Sequence, residues 1–207
     1  MSLPATLDGP FLLVKPCVDE TEFYASADED SPWELIDGRL VMSPASNVHE
    51  DIAGFLNALL RTVLDERGGG VVRGSRYPMR LDPRWSPEPD ILVVLDEHLE
   101  RLGPQRLEGP ADFVVEIASE GDPGFDAREK LPRYQEAGIR EIWLIDPMES
   151  RVRVETIDQD GRYQSRIMSS GRLESTVVPG FWIELGWLWQ RPLPSTWDCL
   201  QELIGTD

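Results

Sequence analysis

Residues 112–147 read DFVVEIASEGDPGFDAREKLPRYQEAGIREIWLIDP, and this stretch decides the fold. Its first part, DFVVEIA, and its last, EIWLID, are near-continuous apolar runs of strand length. Runs of that kind belong to strands buried on both faces. Between them, residues 126–137 have helical character and end at Gly138, while Pro132 cannot donate a backbone hydrogen bond. The helix is therefore either kinked at Pro132 or begins later than Asp126. Strand, helix and strand at this spacing form a βαβ crossover, which predicts a parallel pair within a mixed sheet.

Working outward, residues 90–95 form another apolar strand directly after Pro89, and 71–81 read as a strand interrupted by Gly74 and Pro78. Val48, Ile52, Phe55, Leu56, Leu59, Leu60 and Val63 recur at helical spacing. Asn47 and Glu50 suit a capping box for that helix, and Gly68, Gly69 and Gly70 stop it. Residues 33–43 (WELIDGRLVMS) alternate around Asp37-Gly38, the signal for a tight β-hairpin. A short helix is predicted over 19–27. Downstream, 151–157 and 162–168 read as a hairpin turning at Gln159-Asp160-Gly161. The segment from Val177 onward carries four of the seven tryptophans, Trp182, Trp187, Trp189 and Trp197, which suits packing or a subunit interface. The expected architecture is α/β: a mixed β-sheet flanked by helices, with an N-terminal hairpin and a C-terminal β-hairpin added. An extension over 1–18, a domain over 19–190 and a tail over 191–207 are expected.

The chain has 207 residues, 41% hydrophobic and 28% charged, which excludes collagen-like and wholly disordered classes. Its apolar runs are too short to span a bilayer. The opening MSLPATLDGP lacks a basic region followed by an apolar one, so no signal peptide is expected. Two cysteines, Cys17 and Cys199, without a CxxC pair exclude a zinc ribbon or a disulfide framework, and a cytoplasmic location is expected. The net charge of −18 would repel nucleic acid if spread evenly. It is not even: Arg67, Arg73, Arg76, Arg80 and Arg84 lie within one stretch that has Asp82 as its only acid. That stretch reads either as a phosphate-contacting surface, with Arg76 and Arg80 as the contacts, or as an edge that arginines keep from aggregating. Of the twenty basic residues only Lys15 and Lys130 are lysines. A lysine inside the fold of so arginine-rich a chain points to a place where a compact ammonium is wanted.

Three polar residues stand where a sequence serving the fold alone would place something else. Asp90 opens the DILVV strand, Glu116 interrupts FVVEIA, and Lys130 lies on the helix that follows. Alternation puts Phe113, Val115 and Ile117 on one face of the strand and Val114 and Glu116 on the other. A carboxylate there is costly unless a cation satisfies it. Two acids at strand ends with an ammonium from the next helix supply the elements of a divalent-cation site acting on phosphate. Each residue also has a plainer reading: Asp90 as a strand-initiating acid, Glu116 paired with Arg128 or Arg140, and Lys130 paired with Asp126 four positions earlier.

The series WELIDGRL, SPEPDILVV, DFVVEIASEGD and DAREKLPRYQEAGIREIWLIDP resembles the Uma-two family of restriction-endonuclease-like proteins, within the PD-(D/E)XK nuclease superfamily. The resemblance implies a metal-dependent endonuclease hydrolysing DNA, with Mg²⁺ (or Mn²⁺ as substitute) and DNA as partners. It implies Asp90, Glu116 and Lys130 as catalytic residues, the two acids holding the metal. Where the superfamily usually has a lysine, two residues after the Glu, this chain has Ala118; in similar proteins the lysine sits on the next helix, here Lys130. Glu34 is a further acid and His49 a site-lining residue on the same comparison, against readings as an exposed hairpin Glu and a helix N-terminal His. Asp126 either joins the site or caps the helix, with Glu129 completing a capping box. Cutting both strands would favour a homodimer. The missing lysine and the acidity leave room for a non-catalytic binding or interaction module with the same fold, and for RNA or a small phosphoester as substrate.

Overall fold

The computed structural model describes residues 12–26, 32–43 and 45–205. Most of the expected N-terminal extension, and Ala27 at the end of the first expected helix, lie outside them. The elements run β1 (Leu13–Lys15), α1 (Glu20–Ser26), β2 (Glu34–Ile36), β3 (Arg39–Met42), α2 (Asn47–Arg67), β4 (Gly70–Gly74), β5 (Met79–Arg80) and β6 (Ile91–Leu95). They continue through β7 (Leu107–Glu108), β8 (Phe113–Ile117), α3 (Leu131–Glu136), β9 (Glu141–Asp146), β10 (Arg151–Ile157) and β11 (Tyr163–Met168). Last come β12 (Arg172–Glu174), β13 (Trp182–Glu184), α4 (Leu185–Leu188) and α5 (Thr196–Ile204).

Six strands form the central sheet in the order β11-β10-β9-β8-β6-β4. The β8–β9 pair is parallel and the others are antiparallel, so the sheet is mixed and the crossover from β8 to β9 runs through α3. The alternation in β8 is met on both faces. Phe113, Val115 and Ile117 join Ile91, Val93, Trp143 and Val152 against α2 and the C-terminal layer. Val114 joins Leu92, Ile142 and the α3 residues Leu131 and Tyr134 on the other side. Trp182 and Trp187 are buried in the first of these cores and Trp189 packs against it, whereas Trp197 is exposed. Strand β1, from the expected extension, pairs with β3, and Cys199 and Leu203 of α5, from the expected tail, enter the main core.

The long helix differs from expectation at its start. Ser46, in extended conformation, is the N-cap, and its hydroxyl accepts from the His49 backbone N–H; Asn47 is already helical. The β2–β3 hairpin turns at Asp37 (φ 50°) and Gly38 (φ 69°), the two left-handed residues that a two-residue turn requires. It docks on the segment before β6: Leu35 and Ser86 exchange backbone hydrogen bonds, 3.2 and 2.8 Å, and the Glu88 N–H donates to Glu34 Oε2 at 2.9 Å. The residues after β8 start as a π-helical turn, Asp126–Lys130, in which the Leu131 N–H bonds the Asp126 carbonyl. The helix thus begins at Asp126 and changes its winding just before Pro132.

Candidate active site

The register of β6 on β8 pairs Ile91 with Val115 and Leu92 with Val114. One step further carries Asp90 to the level of Glu116, and period-two alternation puts both carboxylates on the face of Leu92 and Val114. The Ile117 N–H donates to Asp90 Oδ2 at 2.7 Å, fixing that carboxylate against the end of β8. His49, in the first turn of α2, places Nε2 3.1 Å from the same oxygen. Its other nitrogen, Nδ1, is buried without a hydrogen-bond partner among the described residues and lies 3.7 Å from Glu50 Oε1.

The opposite wall comes from the π-helical turn and α3. Lys130 is 4% exposed at its side chain, and its ammonium lies 2.8 Å from Glu34 Oε2, 3.1 Å from Glu116 Oε1 and 3.3 Å from Asp126 Oδ1. Tyr134, one helical turn on, donates its hydroxyl to Glu116 Oε1 at 2.5 Å. Arg39 of β3 donates to Glu129 at 2.9 Å, which ties the hairpin to the turn that carries Lys130. These elements enclose a cavity of about 360 Å³, lined by the acids Glu34, Glu50, Glu88, Asp90, Glu116, Asp122 and Asp126 and by Lys130, His49 and Arg76. Glu34, His49, Asp90, Glu116, Asp126 and Lys130 are thus brought together. Arg76 joins them at the rim, but Arg80 does not: its guanidinium is held by Glu20 at 2.7 and 3.2 Å. The alternative partners of Glu116 are engaged elsewhere, Arg128 with Asp122 and Arg140 with Glu97.

Seven carboxyls line the cavity beside the Lys130 ammonium, the Arg76 guanidinium and the His49 imidazole, which leaves an excess of negative charge that the ionisation equilibria of the buried groups reflect. Burial pushes Glu116 well above the usual carboxylate range, with Lys130 opposing and Asp126, Asp90 and Glu34 adding to the rise. Asp126 is raised to about 6 by burial against the same opposing ammonium. Glu88, desolvated and beside Glu34, is raised to about 8. Burial would lower the pKa of Lys130, but Glu116, Glu34 and Asp126 outweigh it and hold the ammonium charged. For His49 too, desolvation is overcome by the bond to Asp90, so its pKa is raised. Hard oxygen donors crowded in excess of the cationic groups beside them are the donor set that a Mg²⁺-like cation takes, so these residues fit such an ion.

Burial alone does not make a glutamate part of a site. Glu141 is fully buried, yet its carboxylate is consumed by Trp143 Nε1, Ser175 Oγ, Thr176 and the Val177 N–H, and it does not line the cavity that holds Glu116. Glu116 differs because its oxygens face the cavity and share the ammonium with two other acids.

Residues 20–186 match the model of Uma2, described as "Putative restriction endonuclease". The chain belongs to the Uma2 family. A solved structure described as "a putative nuclease belonging to DUF820", from Anabaena variabilis, superposes with a TM-score of 0.69 at 18% identity, covering 83% of this chain and 97% of that one. No curated protein matches. The mixed sheet read from residues 112–147 is therefore present, and the nuclease-like fold that the resemblance implied is matched by that solved structure. The sequence reading does not name Glu88, which lines the cavity, or Tyr134, which reaches the site through its bond to Glu116. For Tyr134 the signal was its spacing of four from Lys130; for Glu88 it was an acid held between Pro87 and Pro89. Among the described residues no helix is long and apolar enough to cross a membrane.

Proposed function

We propose that this Uma2 chain is a metal-dependent endonuclease that hydrolyses DNA phosphodiester bonds. The observation that carries the reading is the meeting of Asp90 and Glu116, from neighbouring strand ends, with Lys130 from the following helix in one acidic cavity. Asp90 and Glu116 are the residues that would hold Mg²⁺ or Mn²⁺. When bound, such an ion lowers the pKa of a coordinated water and neutralises charge on the phosphoryl oxygens. Lys130 orients the attacking oxygen and stabilises the anionic phosphorus centre. Glu34 and Asp126 keep Lys130 charged and in place, and His49 fixes Asp90. Arg76 at the rim is the proposed phosphate contact; Arg80, committed to Glu20, is not.

The test offers plasmid, linear and single-stranded DNA to the purified protein with Mn²⁺ or Mg²⁺. Cleavage is expected from wild type and its loss, by a factor of a hundred or more, from Asp90→Asn, Glu116→Gln and Lys130→Ala. Cleavage that persists in these variants overturns the assignment. A second reading, a non-catalytic binding module, draws on Ala118 and on the engagement of Lys130 by three carboxylates at once. It requires that Mn²⁺ leave the melting temperature of wild type unchanged, where the nuclease reading requires a rise that Glu116→Gln removes.

A further inference from the structure

Behind the acidic cavity lies a second one of about 210 Å³, which shares Glu116 and Asp126 with the first and has Arg151, Arg153 and Ile167 on its outer side. Strand register explains its shape. Glu116 pairs with Leu144, Leu144 with Arg153, and Arg153 with Ile167, so one row crosses four neighbouring strands on a single face. At about 4.8 Å per strand the row is roughly 14 Å long. It begins at the acid proposed to hold the metal and passes over an aliphatic side chain. It then reaches a guanidinium and ends on an isoleucine that is 65% exposed. Arg151, one residue pair along, faces Asp146 at 3.2 Å, and Arg153 donates through Nε to buried Glu155 at 2.6 Å. Each carboxylate holds its guanidinium along the shelf, where the remaining N–H groups can meet an anion. The acids at the inner end, Glu116 and Asp126, are countered by Lys130.

Resting on the nuclease reading, we propose that this shelf is a nucleotide subsite. It takes one unpaired nucleotide of the substrate strand beside the bond to be cut, the base lying on Ile167 and Leu144 and the phosphate on Arg151 and Arg153. Two arguments select this occupant. Arginine forks match phosphate oxygens, and here they sit in a chain whose net charge is −18. An apolar surface beside them gives a base a face to stack on without reading its edge. The shelf also shares Glu116 and Asp126 with the cavity where the neighbouring phosphate would sit.

The test measures anisotropy of a short fluorescent single-stranded oligodeoxynucleotide with Ca²⁺ present, and separately its cleavage with Mn²⁺. Arg153→Gln strips a partner from buried Glu155, so Ile167→Ser and Arg151→Gln, at half- to two-thirds-exposed side chains, carry the test. Ile167→Ser is expected to weaken binding about fivefold or more. Arg151→Gln is expected to reduce the salt dependence of binding by about one ion. Weakening of both kinds upholds the subsite whether or not the oligonucleotide is cut. Wild-type binding in both variants overturns it, even where wild type cleaves and Asp90→Asn does not, a result that leaves the nuclease reading standing. No binding by wild type overturns the subsite, and no cleavage besides overturns the nuclease reading too.

Discussion

Lys130 keeps its charge inside the protein because three carboxylates surround it, and they in turn are held together by that ammonium. Replacing it by methionine keeps most of the volume and removes the compensation. Breaking a buried ionic group by deleting one partner costs about 3–5 kcal/mol. In Lys130→Met, the acids left without the ammonium, Glu116 and Asp126 among them, shed their repulsion only by taking up protons, which is easier at low pH. The stability lost, measured by urea unfolding, is therefore expected to be larger at pH 8 than at pH 5. Equal losses at both pH values would mean that the ammonium does not compensate the acids. Lys130 was legible because it is one of two lysines among twenty basic residues, and Glu116 because it breaks an apolar run. Glu88 was not, since its neighbours Glu34 and Lys130 are remote in the chain and only the docking of the β2–β3 hairpin and of the π-helical turn brings them near.

At the scale of elements, α3 and its π-helical approach set the direction of the site. Pro132 has no N–H to give to a residue four positions earlier, and a chain wound with one residue more per turn meets that constraint while aiming Lys130 and Tyr134 at Glu116. The sequence foretold a kink at Pro132 or a start later than Asp126; instead a π-helical turn begins at Asp126 and α-helical winding follows from Leu131, a choice periodicity cannot make before packing does. The strands of the central sheet were legible for the opposite reason: their apolar pattern is the packing. The cap of α2 was misplaced by one residue because Ser46 and Asn47 are both good caps, and backbone conformation picks Ser46. Gly138, between α3 and β9, gives a clean test of how this crossover is closed. Its φ is +79° and a Cβ there would meet nothing within 4 Å, so Gly138→Ala adds backbone strain alone. A loss of about 1 kcal/mol is expected in urea unfolding, with the Mn²⁺ response of the melting temperature unchanged. A loss several times larger would show that the turn also positions the site.

For the whole molecule, a net charge of −18 matters less than where the acids gather. Composition reveals the excess; only the fold shows that seven carboxyls share one cavity. Their titration links that cavity to global stability. Glu88 is raised to about 8 and Asp126 to about 6, so each binds its proton more tightly in the folded chain than in the unfolded one. The stability that this contributes is fully present below their unfolded pKa values, near 4, and is lost as pH rises through the folded ones. His49, also raised, acts in the same direction, its share being lost as pH rises above the ordinary histidine value. The metal-free protein is therefore expected to melt at progressively lower temperature from pH 5 to pH 8.5. Each proton involved contributes up to about 1.4 kcal/mol per pH unit. Glu88→Gln, which keeps a neutral side chain at every pH, should flatten the upper part of that slope. Excess Mn²⁺ should flatten or reverse it in wild type, because deprotonated carboxyls are the form that binds a cation and binding to the folded state alone raises its stability. A melting temperature that climbs with pH in the absence of metal would mean that these acids are not crowded in the folded protein, and the cavity would lose its claim on a divalent ion.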